Sequence, residues 1–215
     1  MKLRDESGTK GDDEPDSEDE SAEMEGDDEF IRTRKEAADA GVTLELFTDG
    51  SGDGEGGWGV WGISDTGTAT EMSGPVIIDP QDFQHEGAEV ATNNTAELTG
   101  ILEAMREACD EGGVGTVLVR YDSEYAARMA TGHWRAKKNL ELVRSVQEAV
   151  AEARVRRRVL FMHVKGHSGA YGNEKADRLA ARGVRERLKQ RCQREAAGAE
   201  LGWVFGVPSR VESRK

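Results

Sequence analysis

Cysteine is scarce: only Cys109 and Cys192 occur in 215 residues. Two cysteines make no disulfide framework and point to a reducing, intracellular compartment. Long apolar runs are missing too, and no stretch approaches the ~18 residues of a membrane-spanning helix. The N-terminus is acidic where a secretory signal would be basic and then apolar. These absences argue against a disulfide-stapled secreted scaffold and a helical membrane protein. They predict a soluble protein of the nucleus or cytoplasm. Cys109 falls on the apolar stripe of a predicted helix and is expected in the core.

Charge is abundant but unevenly spread. Residues 1–29 hold 14 acids against Lys2, Arg4 and Lys10, a balance of −11, and residues 30–134 hold 19 acids and 6 bases, or −13. Residues 135–194 reverse the sign with 17 bases and 6 acids, or +11, while 195–215 balance at three and three. The overall charge of −13 therefore conceals a basic half that a polyanion can find. The opening "MKLRDESGTKGDDEPDSEDESAEMEGDDE" has almost no apolar side chains with which to offset the entropy of ordering. It reads as a disordered, solubilising tail, and residues 1–41 as tail plus linker.

Periodicity organises the rest. "VTLELFT" (42–48), "GWGVWGI" (57–63) and "TATEMSGPVI" (68–77) read as an antiparallel meander of three strands. Leu98, Ile101, Leu102, Met105 and Cys109 then recur at helical spacing until Gly112 stops the helix. A buried-type strand follows at 114–122, then the short helix "SEYAARMA" and a helix from about Asn139 to Ala153. A fifth strand spans 157–164, and a long basic helix spans 172–191. The order β-β-β-α-β-α-α-β-α predicts an α/β layered domain over 42–191, with the later strands paired in parallel. Residues 192–215 form an extension, in which Trp203 and Phe205 are expected to dock on the domain.

Four acids stand at meaningful places: Asp49 at the end of the first strand, Glu97 in the first turn of the first long helix, Asp122 at the end of the fourth strand and Asp177 early in the last helix. Were the first and fourth strands neighbours, these carboxylates would converge at one edge of the sheet. Like charges so placed repel one another, and divalent cations are the usual resolution.

The set "TDGS" (48–51), "NNTAEL" (93–98), "YDSEY" (121–125), "VKGHSG" (164–169) and "NEKAD" (173–177) resembles ribonuclease H of type 1, from about Val42 to Arg191. The wording of 121–177 also resembles ribonuclease H domains of retroelements. The resemblance implies a five-stranded mixed sheet with helices on both faces. It implies endonucleolytic cleavage of the RNA strand of RNA/DNA hybrids, leaving 5′-phosphate and 3′-hydroxyl ends. By it, Asp49, Glu97, Asp122 and Asp177 bind two Mg²⁺ ions, with Mn²⁺ as a substitute, and such a pair clamps a phosphate while activating water. His167 would assist proton movement or product departure. Asn93 and Asn94 would contact the hybrid's minor groove and Asn173 would support the site, with Gly50, Ser51, Ser123 and Trp134 also at the substrate. A monomer is expected, with any protein partner meeting the acidic tail or the C-terminal extension.

Each acid also has a plain explanation. Asp49-Gly50 suits a hairpin turn. Asp49, Ser51, Asp53 and Gly54 mimic a calcium loop, but Val60 stands where its bidentate glutamate is required. Asn94-x-x-Glu97 looks like a capping box, Asp122 could cap the helix at Ser123, and Asp177 could pair with Arg178. One metal site accounts for all four. The alternatives are a non-catalytic hybrid-binding module and a nuclease of the same fold acting on DNA.

Two departures from the family pattern bear on substrate binding. Only "RAKK" separates Trp134 from "NLEL", so the basic handle of many cellular members is missing. The loop after Asp49 is also shorter and lacks their cysteine and proline, although its backbone would normally read RNA 2′-hydroxyls. "HWRAKK" (133–138) and "RVRRR" (154–158) remain candidate phosphate contacts.

Overall fold

The computed structural model describes residues 35–37, 39–52, 54–110, 114–166 and 169–204, with side chains as far as 193. The expected disordered tail, His167 and Phe205 lie outside these residues, as does the side chain of Trp203.

From Val42 onward the described residues form their elements in the expected order: β1 (Val42–Ser51), β2 (Gly57–Ser64), β3 (Ala69–Pro75), α1 (Asn93–Asp110), β4 (Thr116–Tyr121), α2 (Glu124–Ala130), α3 (Leu140–Arg156), β5 (Arg158–His163) and α4 (Tyr171–Val204). They form one mixed sheet in the order β3-β2-β1-β4-β5. The first three strands pair antiparallel as hairpins, while β1, β4 and β5 run parallel through helical crossovers. The fold is therefore the α/β, ribonuclease H-like architecture that the resemblance implies.

Alternation along the strands supplies the two faces. Leu44, Leu46, Val60, Val117 and Val119 point to one side, where Leu98, Ile101, Leu102 and Met105 of α1 and Leu142 and Val146 of α3 cover them. Each fully buried aliphatic side chain is worth about 1.5–3 kcal/mol, so this layer holds most of the fold's apolar stabilisation. Phe47, Trp61 and Ile63 point to the other side and meet Tyr171, Ala176 and Leu179 of α4. Trp61 is a packing residue, held 5.6 Å from both the Phe47 and the Tyr171 rings. Cys109 packs against the larger cluster as expected.

Some boundaries differ from the sequence reading. β1 does not end at Asp49: the ladder continues through Asp49↔Gly59, Gly50↔Trp58 and Ser51↔Gly57. Asp-Gly looks like a turn, but an extended β2 partner keeps the ladder going to Ser51↔Gly57. β3 stops at Pro75 rather than 77, although Val76 still donates to the Gly56 carbonyl. The last helix runs past 191 to Val204.

The caps differ as well. Asn94 and Glu97 make no capping box; Thr92 and Thr95 join hydroxyl and amide at the start of α1 instead. Glu97 is the fifth helical residue, beyond the first turn. Ser123, not Asp122, caps α2, accepting from the Ala126 N–H. Arg178 lies 3.9 Å from Glu174, one turn back along α4. The two capping explanations for the acids therefore fail.

Candidate active site

The site forms where β1, β4, α1 and α4 meet, and two glycines set its dimensions. A methyl group at Gly50 would stand 2.3 Å from the Glu97 amide nitrogen and 2.7 Å from the Ala96 carbonyl carbon. Only glycine lets α1 lie so close to β1, and that approach delivers Glu97 to Asp49. On the opposite face, a methyl at Gly59 would stand 2.2 Å from the Ala176 carbonyl oxygen and 2.4 Å from the Ala180 nitrogen. Gly59 is the register partner of Asp49, so α4 presses on the sheet beside that carboxylate, and Asp177 follows Ala176 directly. The glycine pattern of "GWGVWG" was the available signal for this approach, and the sequence reading assigned it only to a strand.

Asp122 follows the last residue of β4, the strand beside β1. Carboxylate oxygens of Asp49, Glu97 and Asp122 all lie within 4.8 Å of one another. Asp49 and Glu97 are buried, and Asp122 is half-buried. Asp177 is half-buried and outside that trio, yet its charge acts on Asp49.

Electrostatics follow from burial. Loss of hydration pushes the Asp49 carboxyl up to about 7, and the charges of Asp122 and Asp177 add to the shift. Burial pushes Glu97 up to about 9, with Asp49 and Asp122 adding again. The Gly50 N–H opposes both shifts, donating to Asp49 Oδ1 at 2.7 Å. Two anions in so little water are favourable only with a cation between them. An all-oxygen donor set with one half-open member suits a hard ion such as Mg²⁺ or Mn²⁺. The residues present fit that group.

The other predicted residues differ in their surroundings. Gly50 and Ser51 close β1. Asn93 and Asn94 are exposed at the start of α1, one turn before Glu97. Ser123 is the α2 cap described above. Asn173 is buried, and its Oδ1 has no hydrogen-bond partner among the described residues. Trp134 is 45% exposed, with the Arg128 guanidinium 5.4 Å from its ring centre and Tyr125 at 6.5 Å. Gly166 lies against Asp122, where a methyl would stand 2.8 Å from Oδ2. The remaining histidines have local partners: His85 meets the Ile77 carbonyl at 3.0 Å, His133 the Thr131 hydroxyl at 2.6 Å, and His163 the Tyr121 ring.

Known proteins share both sequence and architecture with this chain. The RNase H family model matches residues 42–185. Ribonuclease H of Methylobacillus flagellatus is 32% identical over 160 residues, covering 66% of this chain and 91% of that protein. The Pseudomonas fluorescens ribonuclease H is 33% identical over 162 residues, covering 67% and 92%. Among solved structures, RNase H1 from Halobacterium salinarum superposes with a TM-score of 0.51 at 23% identity, over 66% of this chain and 98% of that one. The N-terminal RNase H domain from Mycobacterium tuberculosis, solved as a maltose-binding-protein fusion, gives 0.52 at 22% identity over 69% and 98%. These two neighbours share the fold; the family match and the sequence relatives go further. This chain belongs to the type 1 ribonuclease H family and is an enzyme of that class.

Proposed function

We propose that the enzyme hydrolyses the RNA strand of RNA/DNA hybrids endonucleolytically, leaving 5′-phosphate and 3′-hydroxyl ends. In this reading Asp49, Glu97, Asp122 and Asp177 hold two divalent cations, Mg²⁺ or Mn²⁺. The observation that carries it is the trio of carboxylates within 4.8 Å of one another, two of them buried. When bound, such ions activate water and stabilise the leaving oxygen of a phosphodiester.

The chain's own residues supply the rest. Asp49 is fixed by the β1 ladder and by the Gly50 N–H, so its orientation is set before any substrate arrives. Glu97 is held by a helix that cannot move toward the sheet without a backbone collision at Gly50. His167 follows Gly166, the residue against Asp122, which supports its assignment to proton movement near the scissile bond. Asn93, Asn94, Ser51 and Trp134 are the candidate hybrid contacts, Ser123 orients the chain just after Asp122, and Asn173 supports the site. Arg135, Lys137 and Lys138 would add salt-sensitive phosphate contacts.

Two free cysteines fit a reducing compartment, nucleus or cytoplasm. Among the described residues no helix is long and apolar enough to cross a membrane. We take the catalytic domain as 42–191 and the enzyme as a monomer, with residues 1–41 and 192–215 open to a protein partner.

The test is cleavage of end-labelled RNA/DNA, RNA/RNA and DNA/DNA duplexes with Mg²⁺, followed by analysis of the product ends. Cutting confined to the RNA strand of the hybrid, with 5′-phosphate products, is expected. Equal cutting of DNA/DNA would overturn the RNA assignment, and no cutting of any duplex would overturn the hydrolytic one.

A further inference from the structure

The β1–β2 hairpin is tied to a part of α4 that lies beyond the family-matched residues. Glu55 sits in the turn, and its carboxylate meets two arginines of α4: Arg187 Nε at 3.5 Å from Oε2, and Arg191 Nη1 on Oε1. The Glu55 and Arg187 side chains are only 20% and 15% exposed, so this is not a loose surface pair. Val184, Arg187 and Arg191 recur at helical spacing along one stripe of α4. Val184 completes the contact, since a methyl at Gly52 would stand 3.2 Å from its Cγ2 and one at Gly57 only 2.2 Å from its nitrogen. The family model ends at residue 185, before both arginines.

We infer that Glu55 is a positioning residue, which holds the shortened hairpin in its substrate-reading conformation through Arg187 and Arg191. Gly52 and Gly54 both have positive φ, and glycine, with no side chain, does little to hold such a backbone by itself. The stem is secured separately, because Asp49↔Gly59 and Gly50↔Trp58 pair within the sheet. Loss of the latch therefore loosens the reading turn and leaves the carboxylate site intact. Its kinetic signature is a rise in KM at nearly constant kcat. The inference deepens the hybrid-cleavage reading and rests on it.

The experiment pairs kinetics with amide hydrogen exchange on the full chain, in Glu55→Gln, in Arg187→Gln/Arg191→Gln and in the triple variant. Exchange at Gly54 and Glu55 is expected to quicken in all three. KM for a hybrid duplex is expected to rise about three- to tenfold, the size of one or two shielded ion pairs, with kcat unchanged. The triple variant is expected to be no worse than Glu55→Gln, because the same interaction has already gone. Unchanged exchange at the hairpin overturns the latch, as does a fall in kcat at constant KM or strictly additive effects. Were the wild type unable to cut hybrid, the parent reading would fail, while the exchange measurement would still decide whether Glu55 holds the turn.

Discussion

Gly50 lies directly beneath Glu97, so close that the β-carbon of any other residue would stand 2.3 Å from the Glu97 backbone nitrogen. Gly50→Ala must push α1 away from β1 and carry Glu97 with it. We expect a stability loss of about 1–3 kcal/mol, typical of overpacking. Activity should fall further, by about 100-fold, because a displacement near 1 Å is severe for a catalytic group. Gly41→Ala is the control: its φ of +77° strains alanine, but nothing lies within 4 Å. It should cost about 1 kcal/mol and leave kcat unchanged. Thermal melts and initial rates check both.

Cation removal should make stability depend on pH in an unusual direction. The Asp49 and Glu97 carboxyls, raised from 3.8 to about 7 and from 4.5 to about 9, bind protons more tightly folded than unfolded. Their contribution to stability is full below the unfolded values and is lost as pH rises through about 7 and then about 9. With EDTA, Tm should therefore fall between pH 5 and pH 9 more steeply than in Asp49→Asn/Glu97→Gln. Mg²⁺ should restore Tm most at the alkaline end, where both groups are anions. Parallel pH profiles for the wild type and the double variant would contradict this.

Glu45 and Arg120 form a shielded pair on β1 and β4. Arg120 Nε donates to Glu45 Oε1, and its guanidinium lies 5.7 Å from the Phe47 ring centre. Arg120→Met leaves a buried carboxylate without a partner and should destabilise by about 3–5 kcal/mol. Glu45→Met/Arg120→Met should recover most of that loss, and a double-mutant cycle by urea unfolding measures the coupling.

The Thr48 hydroxyl is buried and has no hydrogen-bond partner among the described residues. Thr48→Val keeps the shape and removes an unsatisfied group, so stability should hold or rise by about 1 kcal/mol. A loss above that size in urea unfolding would show that the hydroxyl has a partner.

The order of the elements and the helix faces were legible because each depends on local periodicity. Leu98, Ile101, Leu102 and Met105 announced the α1 core face, whereas the pairing of β1 with β4, on which the convergence of the acids depends, is a tertiary fact that the sequence left as a condition. Local motifs misled where tertiary pairing overrode them. Asp49-Gly50 has turn chemistry, yet Gly59 and Trp58 draw it into a ladder. Asn94 and Glu97 have capping spacing, yet Thr92 and Thr95 took the cap. The Glu55–Arg191 contact joins residues 136 positions apart and leaves no periodic trace. The closeness of α4 to Gly59 is likewise a packing distance, and its one trace in the sequence is the glycine pattern of "GWGVWG", which by itself reads only as a strand.

Asp122 offers the most direct test of the carboxylate site, because it is half-buried and lies just past the end of β4, outside the glycine-tight contacts that seat α1 and α4 on the sheet. Calorimetric titration of Mn²⁺ into the wild type and Asp122→Asn should be run beside hybrid cleavage on the same samples. Asparagine keeps the shape and removes the charge, so cation affinity should weaken and cleavage should fall by about 1,000-fold or more, with Tm little changed. Wild-type cleavage by Asp122→Asn, with the cation bound as tightly as before, would contradict a metal site built from these acids.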